Sequence, residues 1–242
     1  MGLGVSQVLW LGSCLVEIIE PAEAPQRVLV LLPGWNFSRQ AWCKESSLCR
    51  AAKQRGYRLV LLEMGKSIYA SQVFPETRAD WRAYPTLRTL VDTVFPGLER
   101  QGLLLPGRSF LLGLSTGGRG VVLILAHTGR LFAAGAALSG DFDPHLNPRD
   151  PLLTGWYGRY SARWEEVDNP LRLAASIQVP LFLAHGVQDK VVPYQHSQRL
   201  YERLKALGFR PRVELRLDPN GGHDFAFWEK YGLAALDFFD TL

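Results

Sequence analysis

A serine with glycines on both sides is the residue of this chain whose setting is best suited to chemistry. Residues 113–118 read Gly-Leu-Ser-Thr-Gly-Gly, between apolar runs at 109–112 and 121–126. A strand, a glycine-flanked serine and a helix in this order are typical of a nucleophile elbow, a tight turn that exposes the serine hydroxyl. Ser115 could also serve only as the N-cap of the helix. The pattern predicts acyl-transfer chemistry with Ser115 as nucleophile.

A serine hydroxyl needs a base to remove its proton and an acid to orient that base. Candidates for both partners follow apolar runs further along the chain. Asp189 comes shortly after the run 181–184, and His223 lies in a glycine-rich loop after the run 212–217. The order serine, aspartate, histidine is the one expected for an α/β-hydrolase. We therefore predict Asp189 as the acid and His223 as the base.

Two other residues are alternatives for these roles. Asp141 follows the apolar run 132–139, which is the other place from which this fold can supply its acid. His185 ends the run before Asp189, where we expect it to hold the acid loop, and it is the alternative base. No partner is evident for the remaining histidines, which are His127, His145 and His196.

The oxyanion of a tetrahedral intermediate needs N–H donors aimed at it. The backbone N–H of Thr116, directly after the predicted nucleophile, is one candidate. The second donor should come from the turn after an early strand, and residues 31–36 read Leu-Leu-Pro-Gly-Trp-Asn. We assign the N–H of Trp35 to this role and keep Asn36 as the near alternative.

The elements that must position these residues alternate between helices and strands. Runs at 8–19 and 27–32 flank a proline-containing turn at 21–25 and predict an antiparallel hairpin. Helices are predicted at about 39–55, 86–101, 117–127, 195–208 and 226–240. Buried strands are predicted at 57–62, 109–114, 132–138, 180–184 and 212–217. This alternation predicts one three-layer α/β domain over residues 1–242, with a mostly parallel sheet.

Two long segments interrupt the alternation, at 65–85 and at about 141–168. Both follow the carboxyl ends of predicted strands, where open α/β sheets bind ligands. We expect them to form the walls of a pocket, with 141–168 as a short lid. The aromatic residues that we expect to contact the substrate are Trp156, Tyr157, Tyr160 and Phe225.

Composition narrows the function classes. The chain has 242 residues, 47% of them apolar, and a formal charge of +4. Its arginines are scattered singly, whereas nucleic-acid binding favours clustered basic residues. No apolar stretch is long enough to span a membrane. We expect no nucleic acid, no membrane span and no metal.

The three cysteines predict free thiols in a reducing compartment, and hence a cytoplasmic protein. Cys14, Cys43 and Cys49 form no CxxC motif and are odd in number. A Cys43–Cys49 bridge is disfavoured, because a spacing of six within one helix over 39–55 would place the thiols on different faces.

Several segments together resemble the esterase D family of α/β-hydrolases, which includes tributyrin esterases and S-formylglutathione hydrolases. They are residues 113–118, Ala-Leu-Ser-Gly at 137–140, the loop 185–189 and Gly-Gly-His-Asp-Phe at 221–225. The resemblance extends from about residue 27 to the C-terminus. It implies the same triad and oxyanion donors. Pro33 stands where this family often has histidine, and Thr116 where methionine is common.

The resemblance also implies a function. We expect a serine carboxylesterase that hydrolyses small-molecule esters, with short-chain or aryl groups, through an acyl-serine intermediate, as a monomer or homodimer. The resemblance implies that it needs no cofactor. A thioesterase, peptidase or acyltransferase could use the same triad. A noncatalytic hydrolase-fold binding protein is the remaining alternative.

Overall fold

A computed structural model describes residues 6–166 and 168–242 and contains one eight-stranded sheet within them. Residues 1–5 and 167, which belong to the predicted domain and lid, lie outside the described residues. The strands are β1 (Ser6–Leu11), β2 (Cys14–Ile19), β3 (Arg27–Leu32), β4 (Tyr57–Leu62), β5 (Ser109–Leu114), β6 (Ala134–Leu138), β7 (Leu181–Gly186) and β8 (Val213–Asp218).

The strand order is β1-β2-β4-β3-β5-β6-β7-β8. β1 and β2 pair antiparallel, β2 pairs antiparallel with β4, and all later neighbours are parallel. The prediction of a mostly parallel sheet with an N-terminal antiparallel hairpin is confirmed. The carboxyl ends of β3 and β5 to β8 therefore lie along one edge of the sheet.

The position of the hairpin differs from the prediction. Its turn lies at Gly12 and Ser13, inside the run 8–19, and not at the proline-containing turn 21–25. β3 lies between β4 and β5, away from β2. Five of the six β3 residues are fully enclosed, so this strand needs neighbours on both edges and cover on both faces. An edge hairpin with β2 would not give it that cover.

Helices cover both faces of the sheet and complete three layers. They are α1 (Ala41–Glu45), α2 (Leu48–Gln54), α3 (Phe95–Arg100), α4 (Thr116–Thr128), α5 (Pro151–Tyr157), α6 (Ala162–Glu166), α7 (Pro170–Leu173), α8 (Gln195–Ala206) and α9 (Phe225–Asp240). α3 continues a π-helical stretch over Thr89–Val94. One apolar cluster joins the sheet to α3, α4 and α8, and a second joins its other face to α1, α2 and α9.

The predicted helix over 39–55 is two helices, and this break brings two cysteines together. Ser46 adopts an extended conformation between α1 and α2. Cys43 and Cys49 form a disulfide with their Cα atoms 5.0 Å apart. The prediction of free thiols is wrong for this pair, because the turn cancels the angular separation that a single helix would impose. Cys14 is free and buried.

The two long segments between elements pack against each other. They share an apolar cluster formed by Ile68, Ala70, Phe74, Trp81, Leu153, Trp156, Tyr157 and Trp164. One segment follows β4 and the other follows β6, so this third cluster forms beside the carboxyl ends of the strands. Within residues 6–166 and 168–242, no helix is long and apolar enough to cross a membrane.

Candidate active site

Ser115 lies on a strained turn between β5 and α4. Its backbone has φ 54° and ψ −123°, a conformation that costs a non-glycine residue about 1–3 kcal/mol. The turn is tight enough that a Cβ on Gly113 would lie 2.1 Å from the carbonyl oxygen of Gly117. A Cβ on Gly117 would lie 2.4 Å from the carbonyl oxygen of Leu32. Both glycines are therefore required sterically, and the geometry is that of a nucleophile elbow.

His223 lies next to this serine. Its Nε2 is 3.1 Å from Ser115 Oγ, and its Nδ1 is 2.6 Å from Asp189 Oδ2. The ring of Trp228 lies edge-on to the imidazole at 5.0 Å, and its Nε1 donates to Ser139 Oγ. Three residues that are far apart in sequence thus form one continuous hydrogen-bonded chain. Such a chain can move a proton from the serine to the histidine.

Asp189 is held as an ionised acceptor. Its Oδ1 accepts the N–H groups of Val191 and Val192, each at 2.8 Å. Burial would raise the pKa of this carboxyl. Hydrogen bonds from His185, His223 and the backbone of Val192 outweigh that effect and hold the pKa well below its usual range. Asp189 can therefore stabilise a positive imidazolium on His223.

His185 supports the acid loop, and its ring nitrogens are engaged by residues other than Ser115. Its Nε2 faces two acceptors, the carbonyl oxygen of Val192 at 2.9 Å and Asp189 Oδ2 at 3.4 Å. Nε2 must therefore carry a proton. In the neutral ring, Nδ1 then accepts the hydroxyl proton of Ser197 at 2.7 Å. This is the position that the sequence predicts for His185.

Asp141, the alternative acid, is engaged elsewhere. Its Oδ2 accepts from Arg119 Nη1 at 3.2 Å, and it makes no hydrogen bond to His223. Burial raises the pKa of Asp141 to about 6, although the charge of Arg119 opposes this rise. The structure brings Asp189, and not Asp141, to the imidazole of His223.

Sequence reasoning missed Arg119. This guanidinium is 3% exposed, four residues after Ser115, and it also binds the hydroxyl of Tyr157 and the carbonyl oxygen of Asp168. It therefore joins α4 to the beginning, middle and end of the segment 141–168. A sequence signal was present, because Arg119 is the one charged residue in the glycine-rich and apolar stretch 116–126, which is predicted to be mostly helical.

The other histidines have partners that the sequence did not reveal. His127 Nδ1 lies 2.8 Å from the carbonyl oxygen of Leu123. His145 lies between the carboxylates of Asp143 and Glu165. His196 Nδ1 accepts the N–H groups of two residues, and burial lowers its pKa to about 3. None of the three hydrogen-bonds Ser115 or Asp189 within the described part of the chain.

The two candidate oxyanion donors of the early turn differ in whether their N–H is already hydrogen-bonded. The N–H of Asn36 donates to the carbonyl oxygen of Gly65 at 2.8 Å. The N–H of Trp35 has no acceptor among the described residues, and neither has the N–H of Thr116 at the start of α4. Two unpaired N–H groups, one of them at a helix N-terminus, suit a developing negative charge. Asn36 lacks a free N–H for this purpose.

The aromatic residues expected to contact a substrate are unequally accessible. Trp156 is fully buried and Tyr157 is 3% exposed, both within the cluster between the two long segments. Tyr160 is 40% exposed, and Phe225 is partly buried against Phe37 at 5.7 Å. Contact of these four residues with a substrate stays a prediction.

Comparisons with known proteins agree with the fold. The sequence pattern of the prolyl oligopeptidase family matches residues 94–239, which is more than half of the chain. YfhR of Escherichia coli O157:H7 is 29% identical over 127 residues, covering 52% of this chain and 42% of YfhR. The match thus spans less than half the length of this curated relative.

Two solved structures from Staphylococcus aureus share the fold over nearly their whole length. The fluorophosphonate-binding serine hydrolase FphF has a TM-score of 0.78 at 20% identity, covering 98% of this chain and 99% of FphF. The S-formylglutathione hydrolase FrmB has a TM-score of 0.77 at 19% identity, covering 97% of each chain. The resemblance to S-formylglutathione hydrolases that the sequence suggested is confirmed at the level of the fold.

Proposed function

This chain belongs to the prolyl oligopeptidase family of α/β-hydrolases, and we propose that it is a serine carboxylesterase that acts through an acyl-serine intermediate. The observation that carries the proposal is the hydrogen-bonded chain from Ser115 through His223 to Asp189, which starts at a serine on a strained turn. Its substrate class is a small carboxylic ester with a short acyl or aryl group.

Acylation begins at Ser115. As Oγ forms a bond to the ester carbonyl carbon, His223 Nε2 accepts the hydroxyl proton over 3.1 Å. Asp189 accepts the Nδ1–H of His223, which keeps Nε2 unprotonated before attack and stabilises the imidazolium afterwards. The tetrahedral intermediate then collapses. The bond to the leaving oxygen breaks, and the imidazolium returns its proton to the departing alcohol.

The negative charge of the tetrahedral intermediate requires donors. We assign the N–H groups of Trp35 and Thr116, because both are free of other acceptors among the described residues. Loss of one such donor typically slows catalysis by about 10²–10³-fold. The N–H of Asn36 is excluded from our assignment, because it is already bonded to Gly65.

Deacylation repeats the sequence with water. His223 takes a proton from water as the water oxygen bonds to the acyl carbon, and it then returns that proton to Ser115 as the ester bond to Oγ breaks. The products are a carboxylic acid and an alcohol. We assign no metal ion and no cofactor to either step.

Peptide hydrolysis is the second candidate, and the family membership favours it. An amide differs from an ester in its poorer leaving group, which must be protonated by His223 as it departs. The same triad can do this, because a triad determines the mechanism and not the leaving group. Rates for p-nitrophenyl acetate, an acyl thioester and a prolyl p-nitroanilide, measured side by side, rank the esterase, thioesterase and peptidase assignments.

Labelling by a fluorophosphonate probe tests the proposal directly. Wild-type protein is expected to form an adduct on Ser115, and Ser115→Ala is expected to form none. Ser139→Ala is the matched control, because this buried serine hydroxyl bonds Trp228 Nε1 and not His223. An unlabelled wild type, or equal labelling of Ser115→Ala, would exclude the serine hydrolase assignment.

A further inference from the structure

The turn that carries the N–H of Trp35 is held by hydrogen bonds from a different segment of the chain. Its two ends are bonded to the segment 65–85, across separations of 29 residues for Asn36 and Gly65 and 36 residues for Pro33 and Tyr69. The hydroxyl of Tyr69 donates to the carbonyl oxygen of Pro33 at 2.9 Å. The N–H of Asn36 donates to the carbonyl oxygen of Gly65 at 2.8 Å. One neighbouring segment therefore holds the turn at both ends.

Tyr69 is itself tightly constrained. It is fully buried and has φ +60°, a left-handed conformation that a bulky residue rarely adopts. Its N–H donates to Ser67 Oγ at 3.0 Å, and the Ser67 hydroxyl donates to the carbonyl oxygen of Pro85 at 2.6 Å. A strained residue persists only where its surroundings over-determine it, and such residues cluster at functional sites. The backbone that carries the Tyr69 hydroxyl is thus held rigidly.

The ring of Tyr69 also touches the helix that follows the nucleophile. A Cβ built on Gly120 of α4 would lie 2.6 Å from Cδ1 of this ring, so the ring lies directly on the helix backbone. Tyr69 therefore contacts both structures that carry the oxyanion donors. Its ring packs on α4, which begins with the N–H of Thr116, and its hydroxyl binds the turn of Trp35.

We propose that Tyr69 is a positioning residue that sets the separation of the Trp35 and Thr116 N–H groups. The inference rests on the proposed function, since these two groups matter only if an oxyanion forms at Ser115. Tyr69 does not touch the reacting atoms. It acts through the peptide of Pro33, which lies two residues before the donor.

The expected effect follows from the geometry of oxyanion binding. Donors must lie 2.7–3.1 Å from the oxyanion, and a misplacement of about 1 Å can cost about 10²-fold in rate. Without the Tyr69 hydroxyl, the carbonyl oxygen of Pro33 has no hydrogen-bond partner among the described residues. The bond from Asn36 to Gly65 remains. We therefore expect a loss of about tenfold, less than the loss of a whole donor.

Tyr69→Phe tests the inference, with Tyr57→Phe as the matched control. Both tyrosines are fully buried, and each hydroxyl donates one bond of 2.9 Å. The Tyr57 hydroxyl binds Asp240, and Tyr57 begins β4 at the end of the sheet opposite the elbow. Each variant therefore loses one tyrosine hydroxyl and the one bond that it donates, to a carboxylate for Tyr57 and to a backbone carbonyl near the elbow for Tyr69.

Active sites are first titrated with a fluorophosphonate, and kcat and KM for p-nitrophenyl acetate are then measured per titrated site. Tyr69→Phe should lower kcat per site about tenfold and leave KM within about twofold. Trifluoroacetone forms an adduct with the serine that carries the oxyanion, so its inhibition should also weaken about tenfold. A merely structural role would lower the number of titrated sites but not the rate of each. Equal rates per site in the two variants would overturn the inference.

A second pair of variants keeps the test decisive if Tyr69→Phe does not fold. Gly120→Ala keeps the Tyr69 hydroxyl but pushes the ring, and the hydroxyl with it, away from α4, and it should also lower kcat per site. Gly232→Ala is its control, because a Cβ there meets only side chains, the nearest at 3.3 Å. Equal rates per site in this pair would contradict the inference. An unlabelled wild type would instead contradict the proposed function.

Discussion

Replacing Asp189 by asparagine should change the tautomer of His223 while keeping the size and shape of the side chain at position 189. The Oδ1 atom of Asp189 accepts two backbone N–H groups, those of Val191 and Val192, at 2.8 Å each. An asparagine must keep its carbonyl oxygen at that position to satisfy the same donors. Its amide NH₂ group must then face Nδ1 of His223, where Oδ2 now lies at 2.6 Å.

An amide N–H facing Nδ1 forces that nitrogen to be the acceptor, so the ring proton moves to Nε2. His223 then points a proton at Ser115 and can no longer remove one. Loss of the correct tautomer with intact geometry costs about 10⁴-fold in kcat, which corresponds to about 5.5 kcal/mol. We expect Asp189→Asn to lose kcat for p-nitrophenyl acetate by that order, with KM little changed.

Asp141→Asn is the matched comparison. An asparagine at position 141 can still accept from Arg119 through its carbonyl oxygen, and Asp141 makes no bond to His223. We expect less than about a tenfold loss of kcat from this change. The reverse result, with a small effect at position 189 and a loss near 10⁴-fold at position 141, would refute the assignment of Asp189 as the acid.

Two further predictions concern stability. The pKa of His196 is about 3 in the folded protein and 6.5 when unperturbed. As pH falls, the unfolded state therefore binds a proton on this histidine before the folded state does. The free energy of unfolding should drop by up to about 4 kcal/mol between pH 6.5 and pH 3. His196→Asn keeps an acceptor for the N–H groups of Phe142 and Asp143, and its unfolding free energy should depend less on pH over this range; parallel curves in urea titrations would contradict this. Reduction of the Cys43–Cys49 disulfide, which closes a short loop, should cost about 2 kcal/mol of unfolding free energy. A reductant should have no effect on the Cys43→Ala/Cys49→Ala variant, and an equal response of both proteins would exclude the bridge as the cause.

Local sequence was sufficient to predict the elements whose residues form a recognisable pattern by themselves. β4 and β5 begin and end at the predicted residues 57–62 and 109–114, because a mostly apolar run of six residues between turns has the length of a buried strand and is too short for a typical helix. The elbow at Ser115 was also recognisable locally, since Gly113 and Gly117 lie within two residues of it and their lack of side chains permits the tight turn.

Pairing between distant elements could not be predicted in the same way. Both β2 and β3 have the composition of strands, but only the assembled sheet shows that β4 lies between them. The disulfide was missed for a related reason. A short break at Ser46 changes the relative direction of Cys43 and Cys49, and helix periodicity does not reveal such a break.

The sequence alone therefore determined which three residues we propose as the triad, because residue types, their order and their positions after strands selected Ser115, Asp189 and His223. Tertiary structure decided which backbone N–H groups are free beside these residues and which segments hold them in place. The N–H of Asn36 is occupied because a carbonyl oxygen from Gly65 reaches it, and Tyr69 supports the same turn from a segment distant in sequence. Hydrogen bonds of this kind depend on differences of a few tenths of an ångström between distant segments, and only the packed fold determines these distances.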